Sequence, residues 1–229
     1  SYLKVSDRNT VGMNYRPNDN TTPFYAFVRA AKVSNKPGEG SGGSYGYGKA
    51  AYLQLSPIKA LIISTMTSEG KLFFEGKSVL CTHLFNGEKK TSVGYYDNNN
   101  GQAPVSDVEK IPQRFVRTEP GTDFYIMGFA QQEKAEAIRD MIEEAVRSFF
   151  AAIHRQKLVI EFKIDKEHTL VLDHESLPIV MNDFFTEEKD NSAQLRALNP
   201  RPYYEAITKE EDGRQFIHFT DTIEPIGRV

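Results

Sequence analysis

At 229 residues the chain can bury a substantial core, as one large domain or two modest ones, and 39% apolar with 26% charged residues excludes a disordered or fibrous chain. A formal net charge of −3 gives no general attraction to nucleic acid or anionic lipid. No apolar run approaches the roughly 20 residues that span a bilayer, the start SYLKVSDRN lacks a signal-peptide pattern, and Cys81 has no second cysteine to pair with. These features predict a cytoplasmic protein with no membrane association. The chain has no initiator Met and both ends fall within apolar alternations, so a segment of a longer protein is expected.

In chain order, LKVSD reads as a short strand leading into a turn-rich stretch, DRNTVGMNYRPNDN. Thr22 as cap and Pro23 at the first helical position predict a helix over PFYAFVRAAKV. SNKPGEGSGG has the composition of a mobile loop, and KAAYLQLS of one or two helical turns. KALIISTMT, KLFFEGKSVL and CTHLF read as strands separated by turns at SEG and NGE, with Cys81 a small, half-buried hydrophobe. YYDNNNGQAPVSDVEKIP reads as a loop and DFYIMGF as a further strand. Ala135, Ile138, Met141, Ile142, Ala145, Val146, Phe149, Phe150 and Ile153 recur at helical spacing, predicting a long helix over QQEKAEAIRDMIEEAVRSFFAAIHR. KLVIEFKID and TLVLD follow as strands, and YYEAITKEEDGRQFIHFT as a hairpin turning at Glu-Asp-Gly. The order predicts an α+β fold, a two-layer sandwich whose mostly antiparallel sheet is covered by helices, with a composition shift near Arg155 separating residues 1–155 from a smaller α/β unit over 156–229.

The chemistry concentrates in GGSYGYGKAAY, residues 42–52, which nearly fits three nucleotide-binding loops. As a P-loop it fails at Ala50, where the pattern needs a hydroxyl for Mg²⁺. As a dinucleotide fingerprint, Gly46, Gly48 and Ala51 match, but no strand precedes them and Glu69 lies in a turn. The third reading takes Gly43, Gly46 and Gly48 as a G-x-x-G-x-G loop opening a helix. Its glycines let backbone amides at the helix N-terminus face phosphates.

With that loop the sequence resembles GHKL-type (Bergerat-fold) ATPases, a group that includes the large heat-shock chaperones, DNA gyrase B subunits, MutL mismatch-repair proteins, MORC proteins and histidine kinases. Two further motifs carry the resemblance. VSDRNTVGM is similar to the D-x-G-x-G motif, with Asp7 as the adenine acceptor, Gly12 as the closing glycine, and Asn9 where glycine is usual. EPGTDFYIMGF is similar to the Gly-Thr that starts a strand, with Thr122 reaching the same Asp and adenine through water. The form GSYGYGKAA with FFAAIHRQKL looks most like bacterial ATP-binding proteins found near restriction and phage-defence genes.

The resemblance covers roughly residues 1–165. It implies ATP and Mg²⁺ as cofactors, with Asp7, Asn9, Gly12, Met13 and Thr122 at the base and Gly43, Ser44, Tyr45, Gly46, Tyr47, Gly48 and Lys49 at the phosphates. Val5 and Met13 would line the base, and 35–43 would act as a lid. The general-base Glu and Mg²⁺-binding Asn of the family would lie upstream of Ser1, and the γ-phosphate Lys in a following domain. The implied activity is ATP binding and hydrolysis that controls lid closure and the contacts of a homodimer, or of a protein or nucleic-acid partner reached through other domains. The alternative is a non-catalytic interaction module that keeps the fold.

Blander readings exist for each feature. Asp7 could form an Asx-turn, Gly121-Thr122 an ordinary turn, and the loop glycines could serve only flexibility. His168 and His174 sit some 20 Å apart along a strand at about 3.3 Å per residue, too far to share a metal. His83, His154 and His218 read as isolated.

Overall fold

The computed structural model describes residues 1–29, 48–98, 103–129, 134–163, 165, 167–185, 199–209, 222, 223, 227 and 228. The chain divides into two compact units, Ser1–Gln132 and Glu133–Val229, so the division falls ahead of the long helix.

The first unit is built on five antiparallel strands: β1 (Tyr2–Ser6), β2 (Ala60–Met66), β3 (Leu72–Val79), β6 (Val93–Tyr96) and β7 (Gly121–Met127), in the order β1-β7-β2-β3-β6. The short hairpin β4 (His83–Phe85) and β5 (Glu88–Lys90) leaves the sheet between β3 and β6. β7 lies inside the sheet, between β1 and β2, where GTDFYIM carries apolar or pairable side chains on both faces and five of its seven residues are buried. β6 takes Tyr95 and Tyr96 from a stretch expected to be a loop; its partner β3, already paired with β2, supplies the open edge.

Alternation divides the sheet's side chains. Leu61, Ile63, Phe73 and Ile126 point to one face and pack with Phe24 and Val28 of helix α1 (Pro23–Val28), with Tyr52 and Leu53 of helix α2 (Gly48–Leu55) against them. Phe74 and Tyr125 point to the other and pack with Val105, Ile111 and Phe115 of the irregular segment before β7. Thr22 stands at the N-cap of α1 as its sequence implies, yet its hydroxyl donates to Asp19 O at 3.0 Å instead of capping the helix. Cys81 is exposed and lies between strands, because the chain turns out of β3 at Leu80 toward the hairpin.

The second unit contains α3 (Lys134–His154), the hairpin β8 (Ile160–Lys163) and β9 (Thr169–Leu172), α4 (Leu177–Phe184) and α5 (Arg201–Lys209), and a two-residue pairing of β10 (Thr222–Ile223) with β11 (Gly227–Arg228). The helical stripe of α3 buries Ile142, Val146 and Ile153 against Leu172, Leu177, Val180 and Met181. His154 is not isolated: its ring lies 5.5 Å from that of His174 and 5.7 Å from that of Tyr204. α5 replaces the first strand of the expected hairpin. Asn199 Oδ1 accepts from Arg201 N at 2.9 Å, and Arg201 pairs with Glu205 one turn on, so local capping overrides the β-propensity of Tyr203, Tyr204 and Ile207.

One buried carboxylate stands out in the first unit. Glu75 of β3 has no solvent exposure, beside Ile63 and beneath the end of α1. Arg29 comes within 2.7 Å of Glu75 Oε1 and hydrogen-bonds Asp97 Oδ2 at 2.8 Å. Its approach to Glu75 lacks hydrogen-bonding geometry, so among the described residues both Glu75 oxygens and Arg29 Nε are buried without a hydrogen-bond partner. Burial dominates, and despite Arg29 it pushes the Glu75 carboxyl from an ordinary 4.5 to about 7. The folded chain thus holds this proton more tightly than the unfolded one. Stability is expected to fall as pH rises from about 4.5 to about 7 and to level off above. Glu75→Gln should match wild type near pH 5 and exceed it near pH 8 by an amount on the order of 1–3 kcal/mol in urea melts. Parallel stability curves for the two proteins across that range would contradict this assignment.

Candidate functional site

The site forms where the end of β1 meets the start of β7. Pairing sets Ser6 opposite Asp123, and Asp7 N donates to Thr122 O at 2.9 Å, extending the ladder by one bond. This brings two motifs 115 residues apart into direct contact: Thr122 N donates to Asp7 Oδ1 at 2.5 Å, and Thr10 Oγ1 donates to the same oxygen at 3.0 Å. Asp7 Oδ2 makes no hydrogen bond within the described chain. It is an exposed acceptor whose orientation is fixed by its partner oxygen.

Asn9 and Gly12 shape the turn after Asp7. Asn9 has φ +57° and Gly12 φ +65°, both in the left-handed region. Asparagine visits that region more readily than other non-glycine residues, so the turn forms with Asn9 at that position. Gly12 is required twice over, because a Cβ there would lie 2.1 Å from Met66 O. The close approach lets Met13 N donate to Thr65 Oγ1 at 2.9 Å.

Thr65 joins the pieces. Its hydroxyl lies 2.9 Å from Gly121 O, to which it donates, and 3.1 Å from Thr122 Oγ1. One hydroxyl carries one proton; with that proton on Gly121 O, the Thr122 hydroxyl is the donor in the Thr65–Thr122 pair. Thr122 therefore contacts Asp7 through its main chain and spends its hydroxyl proton on Thr65, leaving the Thr122 oxygen as an acceptor. Thr65 and Thr122 are both buried and face one another in the β2–β7 register.

An apolar wall flanks the carboxylate. Tyr52 stacks on Phe124 with ring centroids 4.6 Å apart, and Phe27 closes on both at 5.9 and 4.9 Å. Burial, and after it the negative charge of Asp7, push the Tyr52 phenol above its ordinary range, which places Tyr52 within electrostatic reach of Asp7. Met13 is partly buried against the same cluster, and Val5, opposite Phe124, is 40% exposed.

The residues expected at the phosphates are described in part. Gly43, Ser44, Tyr45, Gly46 and Tyr47, with the expected lid over 35–43, lie outside the described residues. Gly48 and Lys49 open α2 as expected. Lys49 Nζ donates to Ala26 O at 2.8 Å, and Lys77 Nζ to Val28 O at 2.5 Å, so two lysines meet the last carbonyls of α1. Burial lowers the pKa of both, and for Lys77 the charge of Lys49 adds to the effect. Among the described residues no cluster of three or more His, Cys, Asp or Glu could hold a metal ion, and no helix is long and apolar enough to cross a membrane.

Sequence reading placed Asp7, Asn9, Gly12, Met13 and Thr122, and the structure brings them together. It missed Thr65, Tyr52 and the buried pair Arg117–Asp123 behind Asp7, because cross-strand partners are set by register and no local motif marks them. No family model, curated protein or solved structure matches the chain.

Gly12→Ala should cost about 2–4 kcal/mol, since it combines a left-handed φ with a collision against main chain. Gly70→Ala has a similar φ, +78°, but open space around the new methyl, and should cost only about 1 kcal/mol. Urea denaturation of the two variants checks the order, and equal losses would mean that the Met66 contact yields freely.

Proposed function

We infer that the first unit is a nucleotide-binding module of the GHKL type that takes ATP with its base at Asp7. The observation that carries the reading is the Asp7 carboxylate, with Oδ1 held by Thr122 N and Thr10 Oγ1 and Oδ2 left open to an incoming donor. The exocyclic amine of adenine is a donor of that kind, and a carboxylate acceptor strengthens the bond. The Thr122 oxygen adds a neighbouring acceptor for a bridging water. Tyr52, Phe124 and Met13 supply the apolar contact that a purine ring needs beside its polar edge.

The fit extends to the phosphates in one respect: α2 begins at Gly48, directly after the glycine-rich run, so its first amides are suited to an anion. Mg²⁺ would travel with the nucleotide phosphates. In the complete protein, hydrolysis and the nucleotide-dependent contacts of a dimer or partner belong to the same proposal. What the described residues contribute is recognition of the base.

Asp7→Asn places an amide, itself a donor, against the adenine amine. Calorimetric titration of Mg-ATP should show affinity falling about 10- to 100-fold in the variant, the loss expected for a hydrogen bond to a charged group. An Asp7→Asn protein that folds and binds ATP as wild type does would refute the base site.

A further inference from the structure

We propose that Arg117 is the positioning residue of this site, holding the Asp7 main chain so that its carboxylate meets the base at a fixed place. The proposal rests on the nucleotide reading above and adds to it the residue that sets base selectivity.

Arg117 lies behind the site with only 5% of its surface exposed. Its fork reaches both the end of β1 and the run into β7. Nη2 donates to Asp7 O at 2.9 Å and to Pro120 O at 3.4 Å, Nε donates to Glu119 O at 3.2 Å, and Nη1 donates to Asp123 Oδ1 at 2.5 Å and Ser6 Oγ at 3.4 Å. One guanidinium thus ties the end of β1 to the run into β7.

The pin is itself secured. Asp123, 4% exposed, takes Arg117 and the Ser6 hydroxyl on Oδ1, and Lys4 at 3.0 Å with the Tyr125 hydroxyl at 3.2 Å on Oδ2. Burying such a pair costs desolvation that packing with apolar residues would avoid. What the pair provides in return is direction, since each nitrogen of the fork is committed to a different acceptor.

Arg117 hydrogen-bonds the main-chain oxygen of Asp7 and not its carboxylate, so its directed contact bears on where the acceptor sits. The packing leaves no slack. A Cβ on Gly121 would lie 2.4 Å from Asp7 O, 2.6 Å from Arg117 Nη2 and 2.7 Å from Asp7 Oδ1. Displacement of the guanidinium therefore moves Asp7 relative to Thr122.

The test uses Arg117→Lys, which keeps a positive charge beside Asp123 but cannot donate along the fork. Affinities for ATP and for inosine triphosphate, whose base carries oxygen in place of the adenine amine, are measured by calorimetry beside thermal melting. Wild type should prefer ATP. In Arg117→Lys, ATP binding should weaken about tenfold with inosine triphosphate binding unchanged, so that selectivity collapses. An unaltered ratio of the two affinities in the folded variant, or a parallel loss of both, would overturn the positioning role. Wild type that binds neither nucleotide, or binds both equally, would instead overturn the base site, and the proposal with it. Should Arg117→Lys not fold, Asp123→Asn loosens the same pin while leaving the guanidinium in place, and is expected to reduce the ratio in the same direction; an unchanged ratio there counts against the proposal equally.

Discussion

The antiparallel register of β1 on β7 is the constraint on which the site depends. Ser6 faces Asp123, and the next main-chain bond carries Asp7 to Thr122. A shift of one residue would reverse the facing of every side chain in β1 and remove Asp7 from Thr10 and Thr122. Register here is specified from both faces, by the Lys4 and Ser6 contacts to Asp123 on one and by Leu3 packed into the α1–α2 core on the other.

The two faces of β7 divide the work. Thr122 and Phe124 alternate onto the face that carries Thr65 and the aromatic wall, where a ligand would meet acceptors and rings. Asp123 and Tyr125 alternate onto the opposite face, where charge is consumed internally. Burial and the Asp123 charge push the Tyr125 phenol up, keeping it a neutral donor. Period-two alternation thus separates the face of the proposed base site from its support along a single strand.

What could be read in the residues was what local chemistry dictates. The strands from β2 to β4, the turns between them, the Pro23 helix start and the period of α3 follow from propensity and spacing over a few residues. The pairing of Asp7 with Gly121 and Thr122 was legible only through a resemblance, since nothing in either motif names the other as neighbour. Thr65, Arg117 and Glu75 were not legible, because a threonine, an arginine or a glutamate within a strand-rich run reads the same whether it faces water or a buried partner. Cys81 illustrates the converse error. Its apolar neighbours resemble a continuing strand, but the chain leaves the sheet at Leu80, and exposure follows. α4 and α5 went unread because the turns that lead into them are set by single side-chain acceptors, Asp173 Oδ1 taking Glu175 N and Ser176 N before α4 and Asn199 Oδ1 taking Arg201 N at α5, which composition does not show.

β1 is an edge strand, paired among the described residues with β7 alone, and four of its five residues are exposed. The acceptor of the site thus hangs from a margin of the sheet, where a strand has bonds to lose on one side only. Local fraying there dissolves the recognition geometry while the central strands stay folded. A molecule that bridges Asp7 and Thr122 acts in turn as an extra rung at the margin of the sheet, and its binding energy appears as slower amide exchange along β1, with occupancy of the site and order of the strand rising together.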